Sequence, residues 1–319
     1  MKKYLSFILA MLLLLAFSTS AFASEPIGMI EEEPMDYPFT EPYEYPIVPG
    51  TDEWSELTSL AEKIEVCHVP QMALDNMTTE ALLETVLNYP LLGNIFAYDT
   101  PQKGFEAIRE YCNGLQEIWT RPDLEEILEQ KISEESFEEN YDIAQRKITF
   151  VLYENLQGYP LAVPASLSWT IREIRTPAGE WVEVYVNSTW QDHGFNNATE
   201  AAEYCEAFFD EGYPDAERLR GPNPAYNCHS YSFYSTGSSN VYWMDGDQAR
   251  VYISDGSYDP VSPGRAGDIA WYGVDHSGII REVSNGQVTI RSKWGFGGLY
   301  EHLSYDCPYE VEYGIDYYR

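Results

Sequence analysis

The sequence predicts an α+β chain: an all-α helical module over residues 54–158, then a C-terminal domain over 216–319 in which a short helix packs on an antiparallel sheet. Two observations carry this. Apolar residues recur at helical spacing up to residue 156 and alternate with polar ones afterwards. In the last hundred residues, one short helical stretch precedes several strand-like stretches joined by tight turns.

The chain opens with MKKYLSFILAMLLLLAFSTSAFA, residues 1–23. Lys2 and Lys3 precede an apolar run over 4–17, and Ala21-Phe22-Ala23 is a small-x-small cleavage site, so this reads as a secretory signal peptide. The run is short for a membrane span, and no stretch of the mature chain is apolar enough for one. The expected location is secreted, extracellular or cell-wall associated. Losing Lys2 and Lys3 from the 19 Lys+Arg leaves 17 against 52 Asp+Glu, a net charge of −35. So negative a field repels phosphate backbones, which argues against a nucleic-acid partner and against anionic membrane surfaces.

Residues 24–53 read as an acidic, proline-rich linker. Between residues 24 and 50 there are seven acids, no bases and six prolines, with Pro34, Pro38, Pro42 and Pro46 evenly spaced. Such a segment has too little apolar surface for a core and is expected to act as a spacer.

In the helical module, Thr78 is placed to cap a helix carrying Leu82, Leu83, Val86 and Leu87 on one face. Phe105, Ile108, Cys112, Leu115 and Trp119 form a second stripe. Pro122 suits the first turn of a third helix with Leu124, Ile127 and Leu128, and Phe137, Tyr141, Ala144, Ile148 and Val151 mark a fourth. Four amphipathic helices predict a small bundle. It holds no acid/base pair or ligand cluster, so its role is binding or scaffolding with an unassigned partner. His68 lacks a partner at metal-ligand spacing and reads as a surface or capping residue.

Residues 159–215 form a connector. Residues 169–186 alternate on both sides of a Pro/Gly turn, which predicts a β-hairpin; Thr199 then caps a short helix with Ala202, Cys205 and Phe209 on one face. In the C-terminal domain, residues 267–272, 276–283 and 287–294 are strand-like, with a tight turn at 284–286.

Five cysteines follow the signal: Cys67, Cys112, Cys205, Cys228 and Cys307. In an oxidising compartment an odd count leaves at least one thiol unpaired within the chain, and spacing does not reveal the pairing. Cys112 lies on an apolar stripe, as core or bridged to Cys67. Cys228 is open to three readings: core, a disulfide with Cys205 or Cys307, or a nucleophile. No CxxC occurs, so neither a tetrathiolate zinc site nor a thioredoxin-type motif is expected. The run Asp245, Asp247, Asp255, Asp259 fits no EF-hand spacing and reads as turn chemistry. No metal and no cofactor is called for.

A cysteine nucleophile needs a stabilised thiolate, a base, and a group to orient the base. Asn227 is a good cap for a short helix over 228–235, whose dipole would favour a thiolate at Cys228. Among the histidines, His276 is the best-placed base, at the start of a strand with small Ser277 and Gly278 leaving room beside it. His229 adjoins Cys228 and would point elsewhere on a helix. His193 lies in a polar loop with no partner nearby. His302 follows a glycine-rich stretch and would line a cleft from the far side.

"NCHSYSF" at 227–233, "GDIAWY" at 267–272 and "HSGIIREVSNGQVTI" at 276–290 resemble, in order and character, the NlpC-like and CHAP-type cell-wall peptidases and amidases. The resemblance covers residues 218–300 and implies a compact papain-like α+β fold. It implies that Cys228 is the nucleophile and His276 the general base, and that the substrate is a peptide or amide bond, as in peptidoglycan. The chain departs from that pattern in two places. His229 stands where a small residue usually follows the nucleophile, and the third polar residue is not obvious; Ser292, Lys293 and His302 remain, with Ser292 favoured by strand parity. Tyr226 is positioned to donate a hydrogen bond to an oxyanion, with the Cys228 amide as the other donor. The chain also resembles secreted Gram-positive bacterial proteins of no settled activity. The other function class is a non-catalytic surface-binding protein on the same scaffold, with Cys228 bridged or idle.

Overall fold

The computed structural model describes residues 39–135, 143–157, 169–309 and 314–319. The signal peptide, most of the linker, and Phe137 and Tyr141 of the fourth helical stripe lie outside the described residues.

Helices dominate the N-terminal half and antiparallel strands the C-terminal half. The helices are α1 (Asp52–Ser55), α2 (Leu60–Val66), α3 (Gln71–Asn76), α4 (Thr79–Leu87), a 3-10 turn (Leu92–Ala97), α5 (Pro101–Tyr111), α6 (Asn113–Ile118), α7 (Leu124–Glu135) and α8 (Ile143–Leu156). Thr78 does cap α4, its side chain accepting from Ala81 N, and Leu82, Leu83, Val86 and Leu87 are all buried. The second stripe is broken: α5 ends at Tyr111 and α6 starts at Asn113. Asn113 accounts for the break. Its amide group accepts from Val69 N at 3.2 Å and donates to Val69 O at 2.7 Å, so its side chain serves another segment's backbone. Both halves of the stripe still reach the core, because Phe105, Ile108, Cys112 and Leu115 are buried.

The end of the linker is not a free spacer. Phe39 pairs with Met77 as an isolated bridge, Tyr43 N donates to Thr85 Oγ1 at 2.9 Å, and the Tyr45 hydroxyl donates to Thr85 O at 3.2 Å. The aromatic residues between the prolines bury against α4, which supplies the apolar contact that the acid-rich composition lacks.

The hairpin is β1 (Thr170–Arg175) against β2 (Trp181–Val186). α9 (Ala198–Tyr204) runs into a π-helical turn over Cys205–Asp210, and its cap is Asn197 rather than Thr199: the Asn197 carbonyl group accepts from both Thr199 N and Glu200 N. The main sheet is β3 (Glu217–Arg220), β4 (Pro260–Val261), β5 (Ile269–Trp271), β6 (Ser277–Ser284), β7 (Gln287–Lys293), β8 (Leu299–Leu303) and β9 (Asp316–Tyr318), in the order β3-β8-β7-β6-β5-β9-β4 with every pairing antiparallel. α10 (Cys228–Phe233) packs on β6 and β7, and α11 (Gly246–Ser254) packs on α10 and β2. The acidic run is spent locally: Asp245 forms a capping box with Gln248 at the start of α11, and Asp255 accepts from Thr176 and from Ser257 N.

The helical half and the sheet share one core. A single cluster of buried side chains runs from Tyr45 and Trp54 through Leu115 to Ile290 and Tyr309, and Pro38–Arg319 forms one compact unit. Lys63 of α2 ion-pairs, fully buried, with Asp306 after β8. No helix among the described residues is long and apolar enough to cross a membrane.

Candidate functional site

Cys228 is the first residue of α10, and the helix start is fixed by Asn227. The Asn227 carboxamide uses its whole bonding capacity: Oδ1 accepts from Ser230 N and Met244 N, each at 3.2 Å, while Nδ2 donates to Asp99 Oδ1 at 2.7 Å and Met244 O at 2.6 Å. Asp99 belongs to the helical half. One buried amide therefore ties α10 both to the α11 approach and to the segment after the 3-10 turn.

All five cysteines are free, buried thiols, so the disulfide readings of Cys112, Cys205 and Cys228 do not hold in this structure. The thiol of Cys228 faces the backbone N–H groups of Ser277 and His229, which favour the thiolate. Burial outweighs them. Together with the Asp99 carboxylate it pushes the thiol well above its ordinary value, with Lys293 offsetting only a little. The sequence suggested a stabilised thiolate; in this closed arrangement the sulfur is a neutral thiol.

His276 occupies the residue before β6. It is fully buried, and neither ring nitrogen has a hydrogen-bond partner, so no hydrogen bond joins it to Cys228. Its ring lies flat on Tyr309, centroids 3.7 Å apart and planes 10° apart, and meets Tyr272 edge-on at 5.1 Å. Burial, with His302 and His229 adding to it, holds His276 well below its ordinary pKa, so it is a neutral imidazole. Two unpartnered nitrogens on a wholly buried histidine are rare, because buried polar groups are ordinarily satisfied. The imidazole lies one residue before Ser277, at the head of the strand on which α10 packs, and it stacks on Tyr309. Cys228, His276 and Tyr309 are each buried.

Tyr309 is a roof. Its hydroxyl donates to Ala97 O at 2.6 Å, and its ring meets Tyr98 edge-on at 5.3 Å. The helical half, through Ala97 to Asp99, closes the site from above.

Ser292 does not reach His276. Its hydroxyl donates to His302 Nε2 at 2.8 Å and accepts from Trp294 Nε1 at 3.2 Å, while His302 Nδ1 donates to Leu303 O at 2.8 Å. Strand parity put Ser292 on the inner face correctly. The partner there is a diagonal neighbour on β8, since Ser292 itself pairs with Tyr300 and His302 pairs with Ile290. His302 is accordingly a satisfied, buried histidine, pushed down to about 4 by burial, and not a free cleft residue. Lys293 donates to the carbonyls of Asn223, Gly295 and Gly297 at 2.9, 2.8 and 2.6 Å, and burial pushes it down to about 7. Tyr226 is buried beside it, with Nζ 5.2 Å from the ring centroid. The space beside Gly278 is not left for a substrate: a Cβ there would come within 2.4 Å of Ile290 Cγ2 and 3.0 Å of Ser292 Cβ, so glycine serves the close approach of β6 to β7. His193 is not an unpartnered loop residue. It is buried against Trp243, centroids 4.5 Å apart, with Nε2 bonded to Ser188 Oγ at 2.8 Å.

Asp99 and Tyr309 went unsuspected from sequence. Asp99 stands in "AYDTPQ" just before a helix start, and Tyr309 in a tyrosine-rich tail; neither carries a pattern, because both act through contacts formed across the chain. No protein-family model, curated protein or solved structure matches this chain.

Proposed function

We propose that the chain is an exported cysteine hydrolase acting on peptide or amide bonds, with bacterial peptidoglycan as the expected source of substrate, on a papain-like scaffold. The observation that carries this is a set of buried groups: a thiol opening a helix, amides directed at its sulfur, and an imidazole with both nitrogens uncommitted at the head of the neighbouring strand. In the reaction His276 takes the Cys228 proton, the thiolate attacks the amide carbon, and the tetrahedral adduct collapses as His276 returns the proton to the leaving amine. Water, deprotonated by His276, then hydrolyses the thioester and frees the acid and the thiol. Because both groups are buried and neutral, and Tyr309 lies on the imidazole, the site must open before proton transfer.

The test is release of new amino groups from peptidoglycan fragments by the mature chain. Wild type is expected to release them and Cys228→Ala to release none, with His276→Ala reduced at least a hundredfold. Equal release by all three overturns the assignment. A second reading, a binding protein with an idle cysteine, is favoured by the burial of both groups and by the absence of a hydrogen bond between them.

A further inference from the structure

His229 stands where the resembled enzymes place a small residue, and its surroundings give it a task. It is fully buried on α10, immediately after the nucleophile. Its Nε2 lies 3.0 Å from Val274 O and its Nδ1 2.9 Å from Ser277 Oγ. A carbonyl only accepts, so Nε2 carries the hydrogen, and Nδ1 then accepts from the serine hydroxyl. One imidazole thereby grips both ends of the turn 274–277, the turn that carries His276. The same Ser277 presents its backbone N–H to the Cys228 sulfur. From the other side, α11 presses on the turn: a Cβ at Gly246 would fall 2.1 Å from Val274 O. Trp271 flanks the ring at 5.2 Å. Asp99 and Asp245 favour protonating His229 and Lys103 opposes it, but burial dominates and keeps the ring neutral, the form that both bonds require.

We infer that His229 is a positioning residue that clamps the Val274–Ser277 turn to the nucleophile helix, setting the placement of the His276 ring and the Ser277 amide against Cys228. The inference rests on the hydrolase function proposed above. It acts through His276 and Ser277, not on substrate. A glycine or serine at this position would leave the turn tied to α10 only through backbone packing.

The experiment uses the full mature chain, as wild type, His229→Leu, His229→Asn and Ser277→Ala. Iodoacetamide labelling of Cys228 is followed by peptide mass spectrometry from pH 5 to 10, and deuterium uptake is read over residues 272–279. Wild type is expected to label with a midpoint above the ordinary thiol value of about 8.5, because burial raises the thiol. His229→Leu should move that midpoint upward, cut labelling at pH 7 at least tenfold and speed exchange in the turn at least tenfold. His229→Asn keeps an acceptor for Ser277 and should recover most of the labelling rate; Ser277→Ala should shift both readouts in the leucine direction by less. A folded leucine variant with unchanged midpoint and unchanged exchange overturns the clamp, whatever the activity. A wild type that never labels, together with faster exchange in the leucine variant, keeps the clamp and removes the hydrolase. Should His229→Leu fail to fold, unchanged exchange in Ser277→Ala overturns the clamp.

Discussion

Cys112 and Cys228 are both buried thiols at helix starts with backbone amides directed at the sulfur, those of Gly114 and Leu115 in one case and of Ser277 and His229 in the other. Burial pushes both up, Cys112 to about 12. Their company differs. Around Cys112 stand Cys67, Tyr45 and Tyr89; around Cys228 stand His229, Asp99 and Lys293, with His276 at the head of the neighbouring strand. A helix start therefore does not mark a reactive cysteine in this fold. What separates the two is the second element: an aromatic wall in the helical half, and a strand head bearing an imidazole in the other.

The largest effect expected on that contrast comes from cutting the buried link between the halves. Lys63→Met leaves Asp306 buried without its cation, which costs about 3–5 kcal/mol. A thermal midpoint roughly 10 °C lower is the expected reading, with Lys63→Met/Asp306→Leu regaining most of it. An unchanged midpoint would show that the pair contributes nothing to holding the roof.

Acid should weaken the sheet side next. His193 is held down to about 3 and His302 to about 4, both by burial. Their contribution is complete above the unfolded value of about 6.5 and is lost as pH falls below it, because only the unfolded chain binds those protons. At pH 5 each withdraws about 2 kcal/mol. Burial raises the Asp306 carboxyl, which acts in the opposite sense. Urea midpoints at pH 7 and pH 5 measure the balance; a lower midpoint at pH 5 is expected, and a higher one would mean that Asp306 outweighs the two rings.

The smallest effect is the most selective. Tyr309→Ala removes the ring stacked on His276 and the bond to Ala97. Iodoacetamide labelling of Cys228 should rise at least tenfold while Cys112 labels as before. A parallel rise at both cysteines would indicate general loosening and not the lifting of a roof.

Much of this was legible in the sequence for local reasons. The α10 start, the β6–β7 turn and the hairpin are encoded in adjacent residues: a capping Asn227, the Asn285-Gly286 pair with Asn285 at φ 52° and Gly286 at φ 83°, and a Pro/Gly turn followed by burial of Val182, Val184 and Val186 on one face. Cys228 opens its helix as expected, while His276 stands one residue before the strand it was expected to begin. The company they keep was not legible. Ser292 was assigned to the wrong imidazole because parity names a face and not a partner. Asp99, Tyr309 and the grip of His229 depend on side chains that meet across long stretches of chain, and the shared core is invisible to a reading that proceeds segment by segment.

The span of those meetings has a kinetic consequence. Tyr309 reaches back 212 residues to Ala97, and Asp306 reaches back 243 to Lys63. Contacts of such separation are closed late, since loop closure must be completed before they are rewarded. The stack on His276 is therefore completed only after the last stretch of the chain has arrived, and a molecule truncated before Tyr309 would carry that imidazole without its covering ring.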